Sequence, residues 1–206
     1  MDRRISDTTR RGFLKTLAVG AGGYALGSVL IQPMDAMGES LQENLGKVPI
    51  EARWAISSDG LVNYQLSNFK ALLDTVGRDK FIETVNKNSF FLGTQSAGLA
   101  KKFEFTGSGA KSFAAMSTAM VTVYYGPKQE YTIEESTPEK VTVKCVNCAF
   151  WNAVQTRKIT EDLCSTNSQA WWSGFAQAVN PKLTSTLVKA RPLGDSVCEW
   201  AIELKA

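Results

Sequence analysis

Glu130-Tyr131-Thr132-Ile133-Glu134-Glu135 and Lys140-Val141-Thr142-Val143-Lys144-Cys145, separated by Ser136-Thr137-Pro138, decide the fold of this chain. Polar and apolar residues alternate in both runs, the period of a strand with one covered face, and the intervening Ser-Thr-Pro supplies the turn of an antiparallel hairpin. Downstream, Leu183 to Lys189 and Ser196 to Leu204 alternate again, joined by Arg191-Pro192-Leu193-Gly194-Asp195. Between the two hairpins, Ala149 to Arg157 and Glu161 to Val179 carry helical spacing, the second with Leu163, Trp171, Trp172, Phe175 and Val179 inward and Asn180-Pro181 as its stop. Upstream, Ala110 to Tyr125 reads as a helix halted by Gly126-Pro127. A helix from Arg78 to Phe103 is expected to break at Gly93, and Leu66 to Val76 is expected to form a two-turn helix ended by Gly77. Residues 37–65 read as a loosely packed polar lead-in with a turn at Ser58-Asp59-Gly60. Because hairpins rather than crossovers supply the strands, the expected class is α+β: an antiparallel four-stranded sheet from two hairpins with helices packed on one face.

At the other end of the chain, Arg10-Arg11-Gly12-Phe13-Leu14-Lys15 precedes an apolar, glycine-dotted stretch from Thr16 to Ile31. This run resembles the bacterial twin-arginine signal, which is read by a receptor. The resemblance implies export of a folded protein by the twin-arginine translocation machinery and a periplasmic or extracytoplasmic location. The sixteen-residue stretch is shorter than the roughly twenty residues that cross a bilayer comfortably. A small-x-small cleavage site after Ala36 is only half met, because Met34 occupies a small-residue position. Two outcomes stay open: removal of residues 1–36, or a membrane tether through residues 12–32. The expected organisation is therefore residues 1–36 as signal or anchor, 37–65 as lead-in, and 66–206 as one α+β domain.

Removing residues 1–36 leaves 18 Lys and Arg against 17 Asp and Glu, out of 23 and 20 in the whole chain. A near-neutral domain lacks the basic face that tracks phosphates, so nucleic acid is not an expected partner. Nucleotide cofactors are not expected either. Gly107-Ser108-Gly109 lacks the third glycine and the preceding strand of a dinucleotide fingerprint, and there is no Walker loop. The chain contains no histidine, which excludes Ser-His-Asp and Cys-His triads, HExxH zinc sites and Rieske clusters. Covalent haem c is excluded for the same reason, since Cys145-Val146-Asn147-Cys148 is followed by Ala149 where histidine is required.

What remains is sulfur. Cys145, Cys148, Cys164 and Cys198 are the four cysteines, spaced C-x2-C, fifteen residues, C, thirty-three residues, C. Three readings stay open. An even count in an oxidising compartment suits disulfides, with Cys164 and Cys198 stapling the long helix to the last strand. The set partly matches an all-cysteine metal site, with zinc as the candidate ion. A functional thiol is the third reading. Trp171 and Trp172 are candidates to wall a pocket for a planar ligand, or simply core residues.

Asp162-Leu163-Cys164, Trp172-Ser173-Gly174-Phe175, Asn180-Pro181, Leu187, Leu193-Gly194-Asp195, Val197-Cys198-Glu199-Trp200 and Ile202 together resemble the C-terminal signature of the L-2-amino-thiazoline-4-carboxylic acid hydrolase family. That family is related to the vinyl-reductase type of ligand-binding domain. The similarity spans about residues 66–206, and its specific part is the last fifty or so. It implies opening of a cyclic carbon–nitrogen and carbon–sulfur centre by a cysteine thiolate, with Cys164, Cys148, Asp162 and Glu199 as catalytic candidates. The vinyl-reductase kinship implies instead a small-molecule ligand, or zinc held by cysteines. The family's additional ligands in the turn before the last cysteine are missing here, because Thr186 to Val197 holds no cysteine, so Cys145 and Cys148 would have to supply them. An accessory role in an exported redox complex is a further class.

Overall fold

The computed structural model describes residues 45–205. The twin-arginine run, the apolar stretch and the cleavage position all lie outside them. The chain divides into two compact units, residues 1–53 and 54–206. Of the first, residues 45–53 are described; the Arg53 side chain there donates to the carbonyls of Val48 and Leu45. Among the described residues no helix is long and apolar enough to cross a membrane.

The elements follow in the order α1 (Ile50–Val76), α2 (Arg78–Lys102), α3 (Ala110–Tyr125), β1 (Glu130–Thr137), β2 (Lys140–Asn147), α4 (Ala149–Thr156), α5 (Ser165–Val179), β3 (Leu183–Lys189), a short 3-10 turn (Arg191–Leu193) and β4 (Cys198–Leu204). The four strands form one open antiparallel sheet in the order β1-β2-β4-β3. This is the α+β class expected from the alternating runs.

Register explains which face is covered. Val141 pairs with Ile202, Val143 with Trp200 and Cys145 with Cys198 across β2 and β4. Since side chains alternate across a strand, these six share one face, and all except Cys198 are fully buried there. Thr142, Lys144, Glu199 and Glu203 take the opposite face. Onto the covered face pack α3 and α5, whose Phe113, Trp172 and Phe175 form an aromatic cluster. Trp172 stacks on Trp200 of β4, rings 4.9 Å apart at 21°. Aromatic side chains therefore fill the space between sheet and helices. A second core joins α1, α2 and α4 through Leu66, Phe81, Phe150 and Val154.

One side-chain amide ties α5 to the edge strand. Gln169 donates to the Ser185 carbonyl at 2.6 Å and accepts from the Leu187 N–H at 2.5 Å. It thus pairs with β3 as a further strand would, and satisfies an edge that otherwise attracts other chains.

Three local expectations are corrected. The turn at Ser58-Asp59-Gly60 does not form: α1 runs unbroken through it. Ser58 and Asn63 turn their side chains back onto the Trp54 and Asp59 carbonyls within the helix instead. Helix α2 likewise passes Gly93 without a break. That glycine is a contact point, since a Cβ there would stand 2.1 Å from the Trp171 carbonyl oxygen, and one on Gly174 would stand 2.1 Å from that of Phe90. The two helices cross backbone to backbone. Finally, α5 begins at Ser165 rather than Glu161, because Asp162 captures the chain just before it.

Candidate functional site

The four cysteines come to one corner of the domain, brought there by four different elements. Cys145 ends the covered face of β2, and Cys198 faces it directly as the first residue of β4. Three residues beyond Cys145 the strand has ended, and Cys148 serves as the N-cap of α4, its sulfur accepting from the Trp151 N–H at 3.4 Å. Cys164 occupies the N-cap of α5. Cys148 touches both hydrophobic cores, so the corner lies where they meet.

Hydrogen bonds hold this corner in place. Gln129 is buried behind it, with its Oε1 accepting from the Ala149 N–H at 3.0 Å and its Nε2 donating to the Tyr131 hydroxyl at 2.9 Å and to Cys145 Sγ at 3.1 Å. Cys145 Sγ donates to the Asn147 carbonyl at 3.3 Å. Asp162 Oδ1 accepts the N–H groups of Cys164 and Ser165 at 3.0 and 2.9 Å, and its Oδ2 accepts the Ser165 hydroxyl. On the outer side, the Arg191 N–H donates to Cys198 Sγ at 3.4 Å, and its guanidinium is fixed by the carbonyls of Val146 at 2.7 Å and Ser196 at 3.0 Å.

This arrangement separates the four thiols electrostatically. Cys148 is lowered to about 7, first by the hydrogen bond from Cys145, then by the N–H groups of Trp151 and Phe150 and the Arg191 guanidinium, against the effect of burial. Cys145, the proton donor of that pair, is pushed up by the same bond and by burial. Burial pushes Cys164 well up and Cys198 up. Of the two nucleophile candidates, Cys148 has its thiolate favoured by its surroundings, whereas burial favours the neutral thiol at Cys164.

No two of the four cysteines stand at disulfide distance, Cys164 and Cys198 included. Among the described residues, no three Cys, Asp or Glu donors stand in the arrangement of a metal site. The two acids fare differently. Asp162 sits close enough to act on Cys164 and Cys198 electrostatically, but its oxygens are committed to the start of α5. Glu199 lies on the open face of the sheet, opposite Cys198, and pairs with Lys189 at 3.0 Å. Gln129 and Arg191 escaped sequence reading. Their only signals were a polar residue just before the alternation and an arginine in the β3–β4 connection.

A four-stranded antiparallel sheet covered on one face by helices defines a small α+β domain of a kind known from solved structures. One is the trafficking protein particle complex subunit 3 from Naegleria fowleri, covalently bound to palmitic acid, with a TM-score of 0.54, 13% identity, and coverage of 73% of this chain and 96% of that one. Another is the phenol-responsive sensory domain of the transcription activator PoxR, solved with phenol, with a TM-score of 0.53, 14% identity, and coverage of 71% and 74%. At these identities the likeness is one of fold. No protein-family model matches the chain. No curated protein matches it either.

Proposed function

We propose that this chain is a small-molecule-binding domain whose reactive centre is the cysteine corner, with Cys148 as a thiolate that engages a thiophilic ligand. The observation that carries the reading is the Cys148 environment: its sulfur caps α4 and accepts the Trp151 N–H at 3.4 Å, with the Cys145 thiol beside it and the Arg191 guanidinium near enough to favour the anion electrostatically. Such surroundings stabilise negative charge and make a thiol nucleophilic near neutral pH. Two domains of this fold carry small molecules, one of them covalently, which supports the same reading.

Binding is favoured over hydrolysis by the state of the acids. A hydrolase using Cys148 needs a proton shuttle, yet Asp162 is tied to the backbone of α5 and Glu199 lies on the other face of the sheet. Zinc as the thiophilic ligand requires Cys145, Cys148, Cys164 and Cys198 to draw closer together than they stand. Export through the twin-arginine route belongs to the same proposal, supported by the Arg10-Arg11 run, and N-terminal sequencing of the protein from its host would establish whether residues 1–36 are removed.

p-Nitrophenyl acetate provides the test. Attack by the Cys148 thiolate on the carbonyl carbon forms a thioester and expels p-nitrophenolate with the bonding electron pair. One equivalent of nitrophenolate, with an acetyl group on Cys148 by mass spectrometry, is the expected result, and it is lost in Cys148→Ser. Continued turnover would favour the hydrolase. Absence of both burst and adduct would overturn the thiolate reading.

A further inference from the structure

A cleft of about 230 Å³ opens between α1, α4 and the loop preceding β1, and none of the four cysteines lines it. Its origin is visible in the sequence. On α4, Ala149, Asn152, Ala153 and Thr156 recur at helical spacing and face Asp59, Val62 and Asn63 of α1. Val62, Ala149 and Ala153 give it an apolar floor too short to fill the gap between the helices.

Its charge is unbalanced. Lys128 on one wall is neutralised by Asp59 at 2.8 Å. Arg157 on the other wall has only neutral partners for its guanidinium, Ser67 Oγ at 2.9 Å and Asn63 Oδ1 at 2.7 Å. Among the described residues, no carboxylate lies within 4.0 Å of it. A guanidinium carries five N–H donors in a planar fork that fits a carboxylate. Two neutral acceptors leave most of that fork unused while fixing its direction. Asn63, Asn152 and Thr156 complete the rim, held by hydrogen bonds to the Asp59 carbonyl, Asn147 Oδ1 and the Asn152 carbonyl, and each amide keeps one N–H beyond those bonds.

We propose that this cleft binds a small organic carboxylate, its oxyanion on Arg157 and its apolar body over Val62, Ala149 and Ala153. The proposal stands on Arg157 and the α1–α4 gap, and it is independent of the thiol chemistry.

The test is a titration of the isotopically labelled full chain with sodium benzoate, followed by NMR, with benzyl alcohol and inorganic phosphate at matched ionic strength as comparisons. Benzoate is expected to shift the resonances of Asn63, Asn152 and Arg157, while the alcohol leaves them in place and phosphate binds more weakly. Arg157→Gln should weaken benzoate binding about tenfold or more, the loss of one charge-assisted pair. Arg157→Lys, which keeps the charge but not the fork, should give intermediate affinity and serves where the glutamine variant does not fold. Equal shifts with benzyl alcohol, phosphate binding as tight as benzoate, no shifts at these residues, or unchanged affinity in a folded Arg157→Gln protein would each overturn the proposal.

Discussion

Replacing Gly93 by alanine tests the helix crossing on which the domain is built. A Cβ at position 93 would stand 2.1 Å from the Trp171 carbonyl oxygen and 2.9 Å from the Phe175 nitrogen, where ordinary contact begins at 3.4 Å. Both neighbours are backbone, so no rotamer change relieves the clash. Helices α2 and α5 must part by about 1 Å, and α5 takes Trp172 and Phe175 with it away from the sheet. Overpacking of this kind costs about 1–3 kcal/mol, and a clash against rigid backbone belongs at the upper end. Alanine returns up to about 1 kcal/mol of helix propensity, leaving a net loss near 2 kcal/mol. Gly98 supplies an internal control, lying exposed on the same helix with nothing within 4 Å of its Cβ position. Gly98→Ala should stabilise by up to about 1 kcal/mol. The two variants should therefore differ by about 3 kcal/mol in urea denaturation, or about 6–12 °C in melting temperature for a domain of this size. Equal stabilities, or a Gly93→Ala protein at least as stable as the parent, would refute a backbone-to-backbone crossing.

Further expectations concern the corner and its supports. Gln129→Ala strands the buried Ala149 N–H and should cost about 1–3 kcal/mol, with faster alkylation of Cys145 measured by mass spectrometry. Asp162→Ala removes the acceptor of the Cys164 and Ser165 N–H groups and should cost about 1–2 kcal/mol by chemical denaturation, with Asp162→Asn losing less. Stability should also respond to pH. The folded pKa of Cys148 is depressed to about 7 from 9.0, so its contribution is full above the unfolded value and is lost as pH falls through 7. Cys164 and Cys198 are raised, so their contribution is full below the unfolded value and lost as pH rises above it. Denaturation midpoints should climb between pH 7 and 9 and fall beyond, and Cys148→Ala should remove the climb alone.

Period-two alternation made β2, β3 and β4 readable because each has one covered and one open face, so local pattern and burial agree, whereas β1 alternates in sequence yet is exposed on both faces apart from the half-buried Tyr131. The same logic failed in α1. Ser58, Asp59 and Gly60 carry turn chemistry, yet packing of Val62 and Leu66 against α2 and α4 overrides it, and the polar side chains bond back into the helix. Gly93 misled for a related reason: a glycine demanded by a close crossing looks, in one dimension, like a glycine that ends a helix. The cysteines were visible as a set but their convergence was not, because it depends on β4 inserting between β2 and β3 and so placing Cys198 opposite Cys145. That pairing is long-range, and it also sends Glu199 to the far face, away from the chemistry it was expected to serve.

The order in which the four thiols ionise is read from the rate of iodoacetamide labelling at each cysteine as a function of pH. Cys148 should label first, with a midpoint near 7, while Cys145, Cys164 and Cys198 stay slow up to and beyond the ordinary value of 9.0. A Cys148 midpoint at or above 9.0, or earlier labelling of Cys164 or Cys198, would contradict the account.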